Sequence, residues 1–415
     1  MKLGIQLRAQ RMPVRRPPLS MAENVDDNPI GPVRDGLDHA SRGLDRVRNE
    51  DFSGMSLRGV PAFARVVFAC QPDRYTVLEV LAHAWYRGEL FDCWDRLLTS
   101  MACVERAGEL GLEPGEGELQ ALSDEFRYER DLLTSEEMER WLRLHDISED
   151  DFCSYFLRQY WRQNFDEPPV IEAIRFAAAP VELRNRLRAD AILSGDFDRM
   201  VERLSWRVAA AHSETEPADG PECEQERADF FARTSSNERV LTEELAVFGL
   251  DMAWFEETVR REVIYRRVCR RTLTPERRAR ALPAMRLALT AVGIETLTVS
   301  SSEAAREGVL CLNESRLTMT ELARECGSVS ERTTVCIGDL PEEMQQSILS
   351  ASLGQCLPPA SCEGGFQLCR MIEKKDPGAE DPQTAARLNR HLLLAHFSDL
   401  TRQCICLPED ERSIA

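Results

Sequence analysis

Fourteen cysteines and six histidines are the side chains of this 415-residue chain best suited to nucleophilic or metal chemistry. Their spacing does not build a metal site. No CxxC pair occurs, Cys404 and Cys406 form only a CxC, and His391 and His396 stand five apart on an expected helix, out of line with each other. No metal and no cofactor is expected. Eight of the cysteines fall between Cys311 and Cys406, where alternation in buried strands accounts for them. Cys326 has no basic partner in sequence, because no histidine lies between His212 and His391, so we expect an inert buried thiol rather than a nucleophile. The acidic clusters Ser148-Glu149-Asp150-Asp151 and Glu222 to Glu226 fall at a helix cap and in a loop, where solvation and the helix dipole explain them. There is no GxGxxG after a strand, no GxxxxGK[ST], no HExxH and no GxSxG.

Apolar and aromatic spacing carries more. Leu340, Met344 and Ile348 recur every four residues, the spacing of a buried helix face or of a row of pocket residues. Trp141, Phe152, Tyr155, Phe156, Tyr160, Trp161 and Phe165 recur at threes and fours; most should be core, and Tyr155 and Trp161 exceed the stripe and are candidates to line a cleft. The balance of 52 Lys plus Arg against 71 Asp plus Glu, a formal charge of -19, argues against nucleic acid and suits cationic or amphipathic peptides. Hydrophobic residues at 43% are enough for a folded core. No run approaches the roughly 18 apolar residues of a membrane span, and the first residues lack the apolar core of a secretory signal. A cytoplasmic, membrane-free protein with reduced thiols is the expectation.

The elements that must position these residues fall into two textures. Residues 1–55 are rich in Pro, Arg, Gly and Asp without periodicity and read as a disordered arm, with a matching tail at 408–415. From 60 to 165 the pattern is helical, with a capping box at Thr134 and Glu137 and a second cap at Ser148 and Asp151. The segment around 134–165 recurs without gaps at an offset of 103, pairing Met138 with Leu241, Leu142 with Leu245, Ile147 with Leu250, Phe152 with Phe255 and Arg158 with Arg261. A helical module at 56–170 is therefore duplicated at 171–285, with residues 212–226 expected as an acidic surface loop in the second copy. After 285 the chain alternates: strands at IETLTVSS, RTTVCI and GGFQLCRMIEKKDP, helices at SEAAREGVLCL, LTMTELAREC and LPEEMQQSILSA, then a long helix from Asp381 and Pro382 and a strand at Cys404 to Leu407.

The order strand, helix, helix, strand, helix, then GGFQLCRMIEKKDP resembles the parvulin-type peptidyl-prolyl isomerase domain. The helical modules resemble the chaperone region of SurA-like folding factors, and the whole resembles parvulin-related proteins linked to maturation of ribosomally made peptides. The resemblance covers about 60–407. It implies catalytic histidines on the first and last strands, a Cys or Asp beyond the second helix, and a glycine-rich turn. In this sequence Thr296 stands at the first histidine position, Gln367 at the second, Cys326 at the Cys or Asp position, and SERTTVCI replaces the turn. It further implies that Leu340 and Met344 contact a prolyl ring, with Leu297, Phe366 and Leu368 completing an apolar floor.

The sequence thus points to an α+β, mainly helical protein: a duplicated SurA-like helical module and a small parvulin-like domain at 286–407. Lowering the barrier of about 20 kcal/mol to prolyl rotation needs a fixed, dry cavity, and the missing imidazoles and turn would have shaped it. We expect a non-catalytic, chaperone-like binder of a polypeptide, such as the precursor of a modified peptide product. An active isomerase and a purely structural assembly protein are the alternatives.

Overall fold

The computed structural model describes residues 57–408, apart from 116, 170–173, 235, 315 and 363–364. The expected arm at 1–55, and the tail beyond 408, lie outside the described residues. The chain divides into two compact units, residues 57–269 with 397–408, and residues 270–396.

The first unit opens with a short helix, α1 (Pro61–Ala64), and an antiparallel hairpin, β1 (Val66–Cys70) and β2 (Asp73–Thr76). The hairpin corrects the uniformly helical expectation for this stretch. VVFAC is β-branched and too short for a helical repeat, and Phe68 stacks on Tyr75 across the pair at 4.7 Å. Two runs of five helices follow. The first holds α2 (Val77–Tyr86), α3 (Glu89–Glu109), α4 (Glu118–Glu129), α5 (Ser135–His145) and α6 (Glu149–Asn164). The second holds α7 (Val181–Leu193), α8 (Asp196–Ser213), α9 (Pro221–Thr234), α10 (Glu238–Phe248) and α11 (Met252–Thr272).

The duplication is reproduced cap for cap. Thr134 and Asn237 each accept the amide three residues on, and α5 and α10 both end in a left-handed residue, Asp146 at φ 51° and Gly249 at φ 65°. The next residue in each copy, Ile147 and Leu250, donates its amide back to Leu142 and Leu245 at 3.0 Å, closing the turn with an apolar contact. Ser148 and Asp251 then cap the long helices through the amides of Asp151 and Trp254. The repeat also reaches further upstream than the offset of 103 shows. Gly88 and Gly195, both left-handed, open α3 and α8 at an offset of 107, so four residues are gained or lost before α4 and α9.

The two copies exchange their first helices. Arg158 of α6 pairs with Asp190 of α7, and Arg261 of α11 reaches His83 of α2 at 3.2 Å, which is the same contact in the other copy. Likewise Arg130 donates to the Leu193 carbonyl at 3.3 Å and Arg233 to the Tyr86 carbonyl at 3.2 Å. Arg188 of α7, 1% exposed, donates to the His145 and Asp146 carbonyls at 2.6 Å each, satisfying the end of α5. On the other side Tyr86 stacks on Phe230 at 5.0 Å and donates to buried Glu226 at 2.9 Å.

Three expectations change here. Residues 212–226 are not all loop: α8 runs to Ser213 and α9 starts at Pro221, with Glu222 and Glu224 in its first turn where the macrodipole favours them. Tyr155 and Trp161 line no cleft, being 8% and 5% exposed; Tyr155 meets Phe156 edge-to-face and Trp161 packs on Cys103 and Ala107. The C-terminal strand is absent as such: helix α16 (Pro382–Cys404) continues into it, and Cys406 makes a single bridge with Ala69.

The second unit carries α12 (Pro275–Leu289), β3 (Ala291–Val299), α13 (Ser302–Asn313), α14 (Met319–Glu325), β4 (Glu331–Cys336), α15 (Glu342–Ser350), β5 (Ala360–Cys362), β6 (Gly365–Lys375) and most of α16. Its four strands form one antiparallel sheet in the order β4-β3-β6-β5.

His83 tests the exchanged packing. Burial, then the Arg261, Arg87 and Arg207 cations, holds its imidazole well below the usual value. The unfolded chain therefore takes up this proton first as pH falls, and stability drops below about pH 6.5, by on the order of 1 kcal/mol at one unit lower. Urea midpoints at pH 7.5 and 5.5, compared between wild type and His83→Gln, should show a smaller loss in the variant; equal losses would refute it.

Candidate functional site

Side-chain alternation along β3 and β6 assigns each expected site residue on these strands to one face of the sheet or the other. Leu297 lies opposite Leu368 and Val299 opposite Phe366, and these pack with Ala305, Leu312, Met319 and Leu322 beneath α13 and α14. Thr296 lies opposite Cys369, Thr298 opposite Gln367, and Ile294 opposite Met371. That second face carries Val292, Ile294, Cys369 and Met371, closed by Ile337, Ile348 and Leu357, with Leu340 and Met344 half-buried against them.

The five expected peptide contacts are therefore split. Leu297 and Leu368, 1% and 0% exposed, are core under two helices, and Phe366 packs with them. Leu340 and Met344 lie on the face shared by Thr296 and Gln367. The structure brings those four to one side and corrects the apolar floor: its three members point the other way. Along the stripe, Ile348 is fully buried while Met344 and Leu340 remain half-exposed, so the stripe is core at one end and accessible at the other.

Cys326 also departs from expectation, being exposed at the end of α14, a helix that covers the opposite face. Cys369, beneath Thr296, is buried, and burial pushes its thiol up to about 11. On the Thr296 face, Glu331 and Thr333 of β4 stand exposed opposite Thr296 and Ile294, and Thr296, Thr298 and Gln367, two hydroxyls and an amide, are half-buried. The last three can donate and accept hydrogen bonds to a peptide backbone, and they carry no ionisable proton near neutrality.

Two supports hold this face in place. Gly365 starts β6 at φ 140°, and a Cβ there would lie 2.1 Å from the Val299 carbonyl oxygen, so no side chain fits. Arg387 of α16 takes both oxygens of Asp339 at 2.7 and 2.5 Å, fixing the turn that presents Leu340, and Gln345 donates to the Leu340 carbonyl at 2.6 Å. Sequence reasoning missed Thr298 and the Arg387–Asp339 pair. Strand alternation from Thr296 would have found the first; nothing in sequence links positions 48 apart for the second.

Beside this face lies β4. It pairs only with β3 among the described residues, and Glu331 to Thr334 are exposed along its outer side. Charge is unevenly spread: residues 270–396 hold 15 basic and 16 acidic side chains, whereas residues 57–269 hold 26 arginines against 43 acidic side chains.

No protein-family model matches the chain, and neither does any curated protein sequence. Solved structures do. The peptidylprolyl isomerase PrsA of Bacillus cereus aligns over 58% of this chain and 88% of its own, at 11% identity and a TM-score of 0.32. The foldase PrsA of Lactococcus lactis aligns over 84% of this chain and 96% of its own, at 9% identity and a TM-score of 0.23. A structure from a pair of related SurA-like chaperones of Campylobacter jejuni aligns over 55% and 89%, at 8% identity and a TM-score of 0.17. Isomerase, foldase and chaperone describe those proteins.

The two faces differ in what they tolerate. Leu368→Ala should cost about 2–5 kcal/mol in chemical unfolding, because it empties a closed core, whereas Met344→Asp should cost less than about 1.5 kcal/mol. A reversed order would show that the accessible face has been misassigned.

Proposed function

We propose that the second unit binds an extended segment of another polypeptide along the face bearing Thr296, Thr298 and Gln367, and that the protein holds such segments in a chaperone-like way without isomerising them. One observation carries the reading: half-exposed Leu340 and Met344 share this face with the hydrogen-bonding side chains of Thr296, Thr298 and Gln367, next to the outer edge of β4, which pairs only with β3 among the described residues. An extended peptide gains affinity from backbone pairing at such an edge and selectivity from apolar side chains beside it. Twisting a prolyl amide would call for groups that favour the rotated over the planar form. Thr296 and Gln367 stand where the family resemblance implies imidazoles, and neither supplies a comparable proton-exchanging group. The excess of acidic residues in the helical unit favours cationic or amphipathic partners, among which a precursor of a ribosomally made modified peptide is the reading we favour.

Titration of a labelled, unfolded cationic polypeptide, followed by fluorescence anisotropy, tests this. Met344→Asp should weaken binding about tenfold or more with an unchanged circular dichroism spectrum. Unchanged affinity would place the site elsewhere. A proline-containing test peptide should show no faster cis to trans exchange at micromolar protein, and acceleration would restore the enzyme reading.

A further inference from the structure

The segment just after α16 is pinned to the first strand at Cys406. Ala69 donates its amide to the Cys406 carbonyl and Cys406 donates to the Ala69 carbonyl, both at 2.8 Å. This brings Cys70 of β1 beside Cys404, the last residue of α16, near enough for each thiol to affect the other's ionisation, while the Cys404 thiol donates to the Leu400 carbonyl at 3.3 Å. Cys404 also lines a cavity of about 280 Å³ together with Ala209, His212, Ser213, Leu400 and Gln403. Cys70 is 4% exposed, Cys404 half-buried and Cys406 exposed. Among the described residues, which include all fourteen cysteines, no disulfide is formed.

We propose that Cys70 and Cys404 are a reversible redox pair, oxidised by a low-molecular-weight disulfide that enters through this cavity, and that their disulfide locks the end of α16 onto β1. The Cys404 thiolate attacks one sulfur of RSSR, forming Cys404–S–S–R and expelling one thiolate. The Cys70 thiolate then attacks the Cys404 sulfur, forming the Cys70–Cys404 bond and expelling the second. The cysteines lose two electrons and two protons, and the reagent leaves as two RSH. Burial raises both thiols, Cys404 to about 11, so the exchange is slow at neutral pH and quickens in mild alkali.

The full chain is treated with oxidised glutathione at mildly alkaline pH and digested with trypsin without reduction. Linkage of Val66–Arg74 to Gln403–Arg412 is expected. The link should vanish with dithiothreitol, persist in Cys406→Ser, and be absent from Cys404→Ser, whose half-buried site tolerates the change if Cys70→Ser fails to fold. Oxidation should raise the thermal midpoint of wild type by on the order of 5 °C, and not that of Cys404→Ser. Mixed disulfides confined to exposed Cys153, Cys326 and Cys406, a mixed disulfide at Cys404 that Cys70 never resolves, or a Cys404–Cys406 bond in place of the link would each overturn the proposal.

Discussion

Arg158 and Arg261 stand at matching places in the two copies of the helical module, and each leaves its own copy to bond the first helix of the other. A buried guanidinium is tolerated only where its donors are met, and removing one partner of such a pair strands the other charge in a dry interior. The chain answers this requirement with carboxylate Asp190 on one side, where the Nε of Arg158 still lacks a partner, and with the neutral ring of His83 on the other. The substitution is not symmetric in its consequences. An aspartate beside arginine is an ion pair, while a histidine there must stay uncharged. The remaining contacts of the helical unit, the carbonyls taken by Arg130, Arg233 and Arg188 and the ring stack of Tyr86 on Phe230, are geometrically possible only because those first helices have changed places.

In the second unit the governing constraint is the two-residue period of a strand. Because Thr296 and Leu297 are neighbours in sequence, they cannot serve the same surface. The sheet therefore has a sealed side, where Leu297, Leu368 and Phe366 meet two helices, and a side where α15 covers only part of the surface. The peptide segment proposed above would lie along the latter.

Much of this was legible in the residues. Caps, the gap-free offset of 103 and the order of elements after 285 all follow from local chemistry, and the Thr134 box is formed as read. The upstream half of the repeat escaped because four residues separate its offset from the downstream one, although Ala82, Ala84 and Gly88 have counterparts in Ala189, Ala191 and Gly195. Helix exchange could not be read, since it depends on which copy closes over which and not on either copy's pattern. The apolar floor was misread because a family-level list of contacts ignores the face on which each residue stands. The exposure of Cys326 depends on where α14 ends, a boundary that sequence leaves uncertain by several residues.

The second unit interrupts the first in the chain, leaving it after Cys269 and returning at Phe397. On the helical side the two ends are held close: the Phe397 ring lies 5.1 Å from Trp206 and 5.3 Å from Tyr265. A guest segment clamped at both ends behaves like a tethered loop. Its melting releases no free terminus.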